Sequence, residues 1–147
     1  MESAHRFEIA WTCEKLSIAY AQYVDFRRYD AFADLFAIDG VLDVGQPLVG
    51  REAIRQAMHQ RSDKLRSRHV LSNIHIEVAN PDRATGISYL SLYRYFGPQS
   101  LVNDAVDLEG PAAIGHYSDE FVRTDAGWRF SRRELNFAFR NPKYFKP

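Results

Sequence analysis

Val70-Leu71-Ser72-Asn73-Ile74-His75-Ile76-Glu77-Val78-Ala79 is the stretch on which the fold turns. Ile74, Ile76 and Val78 alternate with Asn73, His75 and Glu77, and this period of two sets the apolar side chains on one face of a strand. Asn80-Pro81-Asp82 then supplies the chemistry of a turn. Downstream the same period continues. Residues 84–96 read as a long strand with Ile87, Tyr89, Ser91, Tyr93 and Tyr95 on one side and Leu90, Leu92 and Arg94 on the other. Residues 112–124 and 127–139 form a hairpin about Thr124-Asp125-Ala126-Gly127. Between these strands, residues 97–111 read as a polar loop, long enough to be a lid or an oligomer contact.

Upstream of His69 the period is helical. Across residues 7–26, Ile9, Cys13, Leu16, Tyr20 and Tyr23 recur at helical spacing, with Ile18 and Ala21 widening the apolar sector. A shorter helix over residues 29–36 stops at Asp39-Gly40. A short strand over residues 41–44 and a Gly45-Gln46-Pro47 turn follow. A third helix after Gly50 carries Ile54, Ala57, Met58, Arg61 and Leu65. Helices first and antiparallel strands second make an α+β pattern, with the long N-terminal helix packed on one face of a curved, mostly antiparallel sheet. Such a cone encloses a cavity, and the cavity is where chemistry is expected.

The 147 residues suit a single domain spanning 1–147, with no repeat or linker to divide it. Nineteen basic and nineteen acidic side chains cancel, so no global field draws the chain to nucleic acid or an acidic membrane. A lone cysteine, Cys13, rules out an intrachain disulfide framework and a cysteine-based metal cluster. The polar start reads as no signal peptide, and no apolar run approaches membrane-spanning length; a cytoplasmic protein is expected. Aromatic residues reach 14%, which fits a polar-studded apolar cavity, a filled core or an oligomer interface equally.

No phosphate-cradling loop, dinucleotide fingerprint, His-Glu-x-x-His or nucleophile elbow is present, and neither a cofactor nor a metal is expected. Asp25 falls in the last turn of the first helix, where the macrodipole disfavours a carboxylate by roughly 0.3–1 kcal/mol. It is either a helix-end acid neutralised by Arg27 or Arg28, or an inward carboxylate that needs a donor. His69 stands where helix hands over to strand. It is either a histidine bonded to backbone, or an imidazole held in one tautomer by a carboxylate and made basic at its other nitrogen. Tyr20, Tyr23, Tyr89, His116 and Asn136 are candidates to hydrogen-bond a substrate oxygen.

From about residue 10 to 141 the chain resembles the SnoaL-like branch of the nuclear transport factor 2-like superfamily. The marks are Tyr23-Val24-Asp25-Phe26, Leu48-Val49-Gly50-Arg51-Glu52-Ala53-Ile54, Arg68-His69-Val70-Leu71-Ser72-Asn73, and Gly115-His116-Tyr117-Ser118-Asp119-Glu120-Phe121 running into Gly127-Trp128-Arg129-Phe130. Within that branch the resemblance is strongest to scytalone dehydratase and lindane dehydrochlorinase, which pair an aspartate at the end of the first helix with a histidine at the start of the first long strand. Asp25 and His69 match those positions.

The resemblance implies a cofactor-independent lyase, in which His69 removes a proton from carbon and Asp25 orients the ring. The substrate expected is a small cyclic or aromatic-like molecule, and the expected assembly is a homo-oligomer, a trimer before a dimer. Tyr20 replaces the dehydrochlorinase lysine, which weighs against halide abstraction. Val24 and Val44 replace the dehydratase's two water-holding tyrosines. An isomerase or polyketide cyclase, or a non-catalytic module such as a ring-hydroxylating dioxygenase small subunit, is the alternative on the same fold.

Overall fold

The computed structural model describes residues 1–98 and 104–146. Helix α1 (Ser3–Asp25) is followed by α2 (Tyr29–Ala33), β1 (Phe36–Asp43), β2 (Pro47–Val49), α3 (Arg51–His59), β3 (Leu65–Asn80), β4 (Arg83–Phe96), β5 (Ala113–Thr124), β6 (Gly127–Arg140) and a 3-10 turn (Pro142–Phe145). The strands make one curved six-stranded sheet in the order β2-β1-β6-β5-β4-β3. Every neighbouring pair is antiparallel except β1 with β6. The architecture is therefore the α+β one read from the sequence, with α1 laid against β3, β4 and β6. Residues 99–103 of the expected 97–111 loop lie outside the described residues.

Three boundaries differ from the sequence reading, and each matters for the cavity. Phe36 leaves the expected second helix and opens β1, because it pairs with Phe130 and packs its ring 5.2 Å from that partner. Long-range pairing overrides the helical spacing here. Asp39-Gly40, expected as a stop, lies inside β1 at a register shift. A Cβ at Gly40 would meet two backbone oxygens at 3.0 Å, so this close approach of chains needs glycine.

The third helix ends at His59, with Ser62 capping a turn through Lys64 N and Leu65 N. Arg61 and Leu65 therefore leave the helix, and β3 begins at Leu65 rather than Val70. Leu65, Ser67 and His69 then share one face at strand spacing.

On α1 the inward side is Ile9, Cys13, Ser17, Tyr20, Ala21 and Val24, while Ile18 is 40% exposed. Ser17 replaces Ile18 because it meets a buried charge. Arg133 of β6 is fully buried and grips Asp119 of β5 with Nε at 2.8 Å and Nη2 at 2.9 Å. Its Nη2 also donates to Ser17 Oγ at 2.8 Å. The guanidinium stacks against Tyr117 at 4.0 Å, Tyr20 at 4.4 Å and Phe130 at 4.5 Å. A bidentate, ring-covered guanidinium is the arrangement that lets such an ion pair survive desolvation.

Near its end β6 carries a bulge, so that Gly115 pairs with Phe137 but Ile114 with Phe139. A Cβ on Gly115 would sit 2.2 Å from the Asn136 carbonyl oxygen, so only glycine fits. The extra residue re-aims the strand, and Phe137 and Arg140 both line the cavity although they are three residues apart.

Replacing Arg133 by Met strands the Asp119 carboxylate in the core and should remove about 3–5 kcal/mol of stability, read as a lower urea midpoint. Adding Asp119→Leu should restore most of the loss. A single variant as stable as the wild type would contradict the ion pair.

Candidate active site

The last residue of α1 is carried to the first turn of β3 by one local device. Arg27 adopts a left-handed conformation (φ 62°) that ends the helix, and its Nη2 donates to the Leu65 carbonyl at 2.8 Å. Arg28 turns instead onto the Tyr23 ring. Neither arginine neutralises Asp25, so the helix-end reading of that carboxylate is set aside.

The Asp25 carboxylate accepts three hydrogen bonds from β3. Ser67 Oγ donates to Oδ1 at 2.9 Å, the His69 backbone N–H donates to Oδ2 at 2.7 Å, and His69 Nδ1 lies 2.6 Å from Oδ1. The side chains of His69 and Asp25 are only 11% and 6% exposed. A carboxylate only accepts, so Nδ1 carries the proton, and in the neutral ring Nε2 keeps a free lone pair. His69 lines a cavity of about 290 Å³; Asp25 sits behind it and does not.

The walls of the cavity are mostly apolar, with Val24, Phe32, Leu42, Val44, Leu92, Leu135 and Phe137 among them. Val24 and Val44 thus do face the space where the resemblance set tyrosines. The polar groups are His69, Tyr20, Tyr117 and three arginines, Arg61, Arg94 and Arg140. Tyr20 and Tyr117 are nearly fully buried and edge to face at 5.4 Å, with the Tyr20 ring 6.4 Å from the His69 ring.

Burial is the largest influence on both phenols and pushes their pKa values up, Tyr117 well above the usual value. The Arg133 charge works in the opposite sense on each. Both hydroxyls therefore stay protonated as donors. A larger recess of about 460 Å³ lies at the other end of the sheet, beside Ile38, Asp39 and the β5–β6 turn. Its Arg51 donates to the Phe36 carbonyl, and neither member of the Asp25–His69 pair borders it.

The structure brings together Asp25, His69 and Tyr20, but separates the other candidates from them. Tyr89, His116 and Asn136 are direct partners across β4, β5 and β6, so all three project from the same face of the sheet. That is the face opposite Leu90, Tyr117 and Leu135, and Tyr89 is 53% exposed on it. They cannot reach the cavity, because strand side chains alternate faces. Tyr23 packs under Arg28 and does not border the cavity either.

Ser67, Tyr117 and Arg133 were missed. Ser67 had a signal in its place two residues before His69, and Tyr117 in its place one residue after His116, on the cavity-facing side of β5.

The SnoaL-like domain model matches residues 7–134. The chain belongs to the SnoaL-like domain family. Its fold is the nuclear transport factor 2-like, cystatin-like one. Among solved structures it is similar to a Novosphingobium aromaticivorans protein provisionally described as a scytalone dehydratase. That match has a TM-score of 0.79 at 22% identity, over 95% of this chain and 91% of the other.

A second protein of that organism, provisionally described as an aromatic ring hydroxylase, gives 0.74 at 26% identity over 95% and 98%. A type 2 hexachlorocyclohexane dehydrochlorinase gives 0.77 at 16% identity over 95% and 92%. No curated protein sequence matches the chain. At these identities the likeness shows the fold alone.

The buried acids give a pH dependence. Cys13 is pushed up to about 12, by burial first and Asp119 second, and both tyrosines are raised. Above its unfolded pKa each group loses its proton in the unfolded chain while the native state still holds it. Stability therefore falls as pH rises past about 9 for the thiol and about 10 for the phenols, by at most about 1.4 kcal/mol per unit and group. Urea midpoints between pH 8 and 11 should show this decline, and Tyr117→Phe should flatten its upper part. A flat profile in the wild type would contradict the burial.

Proposed function

We propose that this SnoaL-like protein is a lyase of the dehydratase type, in which Asp25 and His69 act as a base dyad on a small cyclic or aromatic-like substrate. The observation that carries the reading is the free Nε2 of a histidine whose Nδ1 is held by a buried carboxylate and whose ring borders an apolar cavity. Asp25 fixes the tautomer and favours the imidazolium once it forms.

Nε2 takes a proton from the carbon beside a carbonyl, and the C–H electron pair becomes the new carbon–carbon double bond. The hydroxyl on the next carbon leaves as water with a proton from Tyr20 or Tyr117, and the imidazolium returns a proton to that phenol. The two phenols can also donate to the developing enolate oxygen, and the Arg133 charge below their rings favours negative charge there. These proton transfers need no group beyond the side chains named.

Isomerases and cyclases share the first step, and they differ in product: only elimination releases water. The exposed apolar side chains Val70, Ile87, Tyr89 and Ile114 on the opposite face suit a homo-oligomer contact, in keeping with the expected trimer.

The test is a panel of cyclic β-hydroxyketones, followed by the absorbance of the conjugated enone produced. His69→Ala should lower turnover about 10²–10⁴-fold with the circular dichroism spectrum unchanged. Asp25→Asn should also lower it, by disturbing the tautomer. Full turnover in folded His69→Ala would overturn the assignment.

A further inference from the structure

Three guanidinium groups border the cavity, and they arrive from separate places: Arg61 from the turn after α3, Arg94 from β4 and Arg140 from the end of β6. Among the described residues no carboxylate lines the cavity with them. Elsewhere some arginines sit in ion pairs. Arg55 holds Asp30 and Asp34, Arg123 holds Asp82, and Arg133 holds Asp119. Among the described residues Arg61, Arg94 and Arg140 form no ion pair; Arg61 donates only to the Val24 carbonyl, at 3.3 Å.

Arg94 is the centre of the group. Its Nε is buried and makes no hydrogen bond. Its guanidinium lies 4.6 Å from the Phe145 ring, and that of Arg140 lies 4.4 Å from the same ring. Burial, then the charges of Arg61 and Arg140, push Arg94 down to about 10. Three like charges brought to one apolar space, one with an unmade hydrogen bond, disfavour the empty state. The fold does not require them: the β6 bulge turns Arg140 inward, and the early end of α3 leaves Arg61 free to turn there. An anion with paired acceptor oxygens satisfies all three.

We infer that the substrate is a cyclic carboxylate, its carboxylate held by Arg94 between Arg61 and Arg140 and its ring lying against Leu92 and Leu135 toward His69. This rests on the reading of the cavity as the substrate site. The register supports the span. His69 pairs with Leu92, and Arg94 lies two residues further along β4, about 7 Å at strand rise, which is about the length of one ring with its carboxylate. The base and the anion clamp thus hold opposite ends of a small molecule. A cavity of about 290 Å³ suits such a ligand and no polymer.

Isothermal titration with 2-naphthoate, 2-naphthamide and 2-naphthyl phosphate tests the clamp without needing the true substrate. Naphthoate should bind at least tenfold more tightly than the neutral amide, and 0.5 M salt should weaken only the anion. Arg94→Gln should cost naphthoate at least tenfold while leaving the amide unchanged, a pattern that a general loss of structure would not give. Arg61→Gln, on a turn, serves if Arg94→Gln does not fold.

Equal binding of acid and amide, no naphthoate binding, or tighter binding of the phosphate would overturn the inference. If the wild type binds naphthoate in this way while it turns over no ketone, the elimination reading falls and the anion site stands.

Discussion

One carboxylate joins the two halves of this molecule. Asp25 ends the long helix, where the dipole disfavours a negative charge, and it is almost withdrawn from water. Its position is tenable because Ser67 Oγ, the His69 backbone N–H and the His69 ring all donate to it from one short piece of β3. The same three bonds that offset its desolvation fix the rotation of the imidazole. One contact therefore sets both packing and side-chain geometry: the helix is anchored to the sheet by the group that orients the His69 imidazole.

Beneath the cavity the Arg133–Asp119 pair plays a related part. A cation surrounded by three aromatic rings opposes the rise that burial imposes on Tyr20 and Tyr117. It also ties β5, β6 and α1 together through Ser17. The cavity thus has a rigid polar floor, apolar walls and a cationic rim formed by Arg61, Arg94 and Arg140. The arrangement is spatial: the imidazole on β3, the hydroxyls on α1 and β5, and guanidinium groups from Arg61, Arg94 and Arg140.

The change from helical to alternating period around His69 was legible because one side chain type dominates each face of a long element. Asp25 was legible as an oddity of the helix end, and family resemblance gave it a partner. Ile18 misled because an apolar residue was assumed to face inward, whereas Ser17 is wanted by a charge 116 residues away in sequence.

His116 was named for its chemistry and Tyr117 was not, yet one residue along a strand reverses the face. Arg61, Arg94 and Arg140 could not be grouped beforehand. Their convergence depends on where α3 stops and on a bulge at Gly115, both decided by tertiary contact. Periodicity reports a local face well and long-range company poorly.

The central claim is the contact between the Asp25 carboxylate and His69 Nδ1, and nitrogen-15 NMR of the imidazole reads it directly. With the histidines labelled, His69 should show a protonated Nδ1 and an unprotonated Nε2 at neutral pH, and Asp25→Asn should shift that pattern. A His69 ring found with its proton on Nε2, or rapidly exchanging between tautomers as a free imidazole does, would contradict the account.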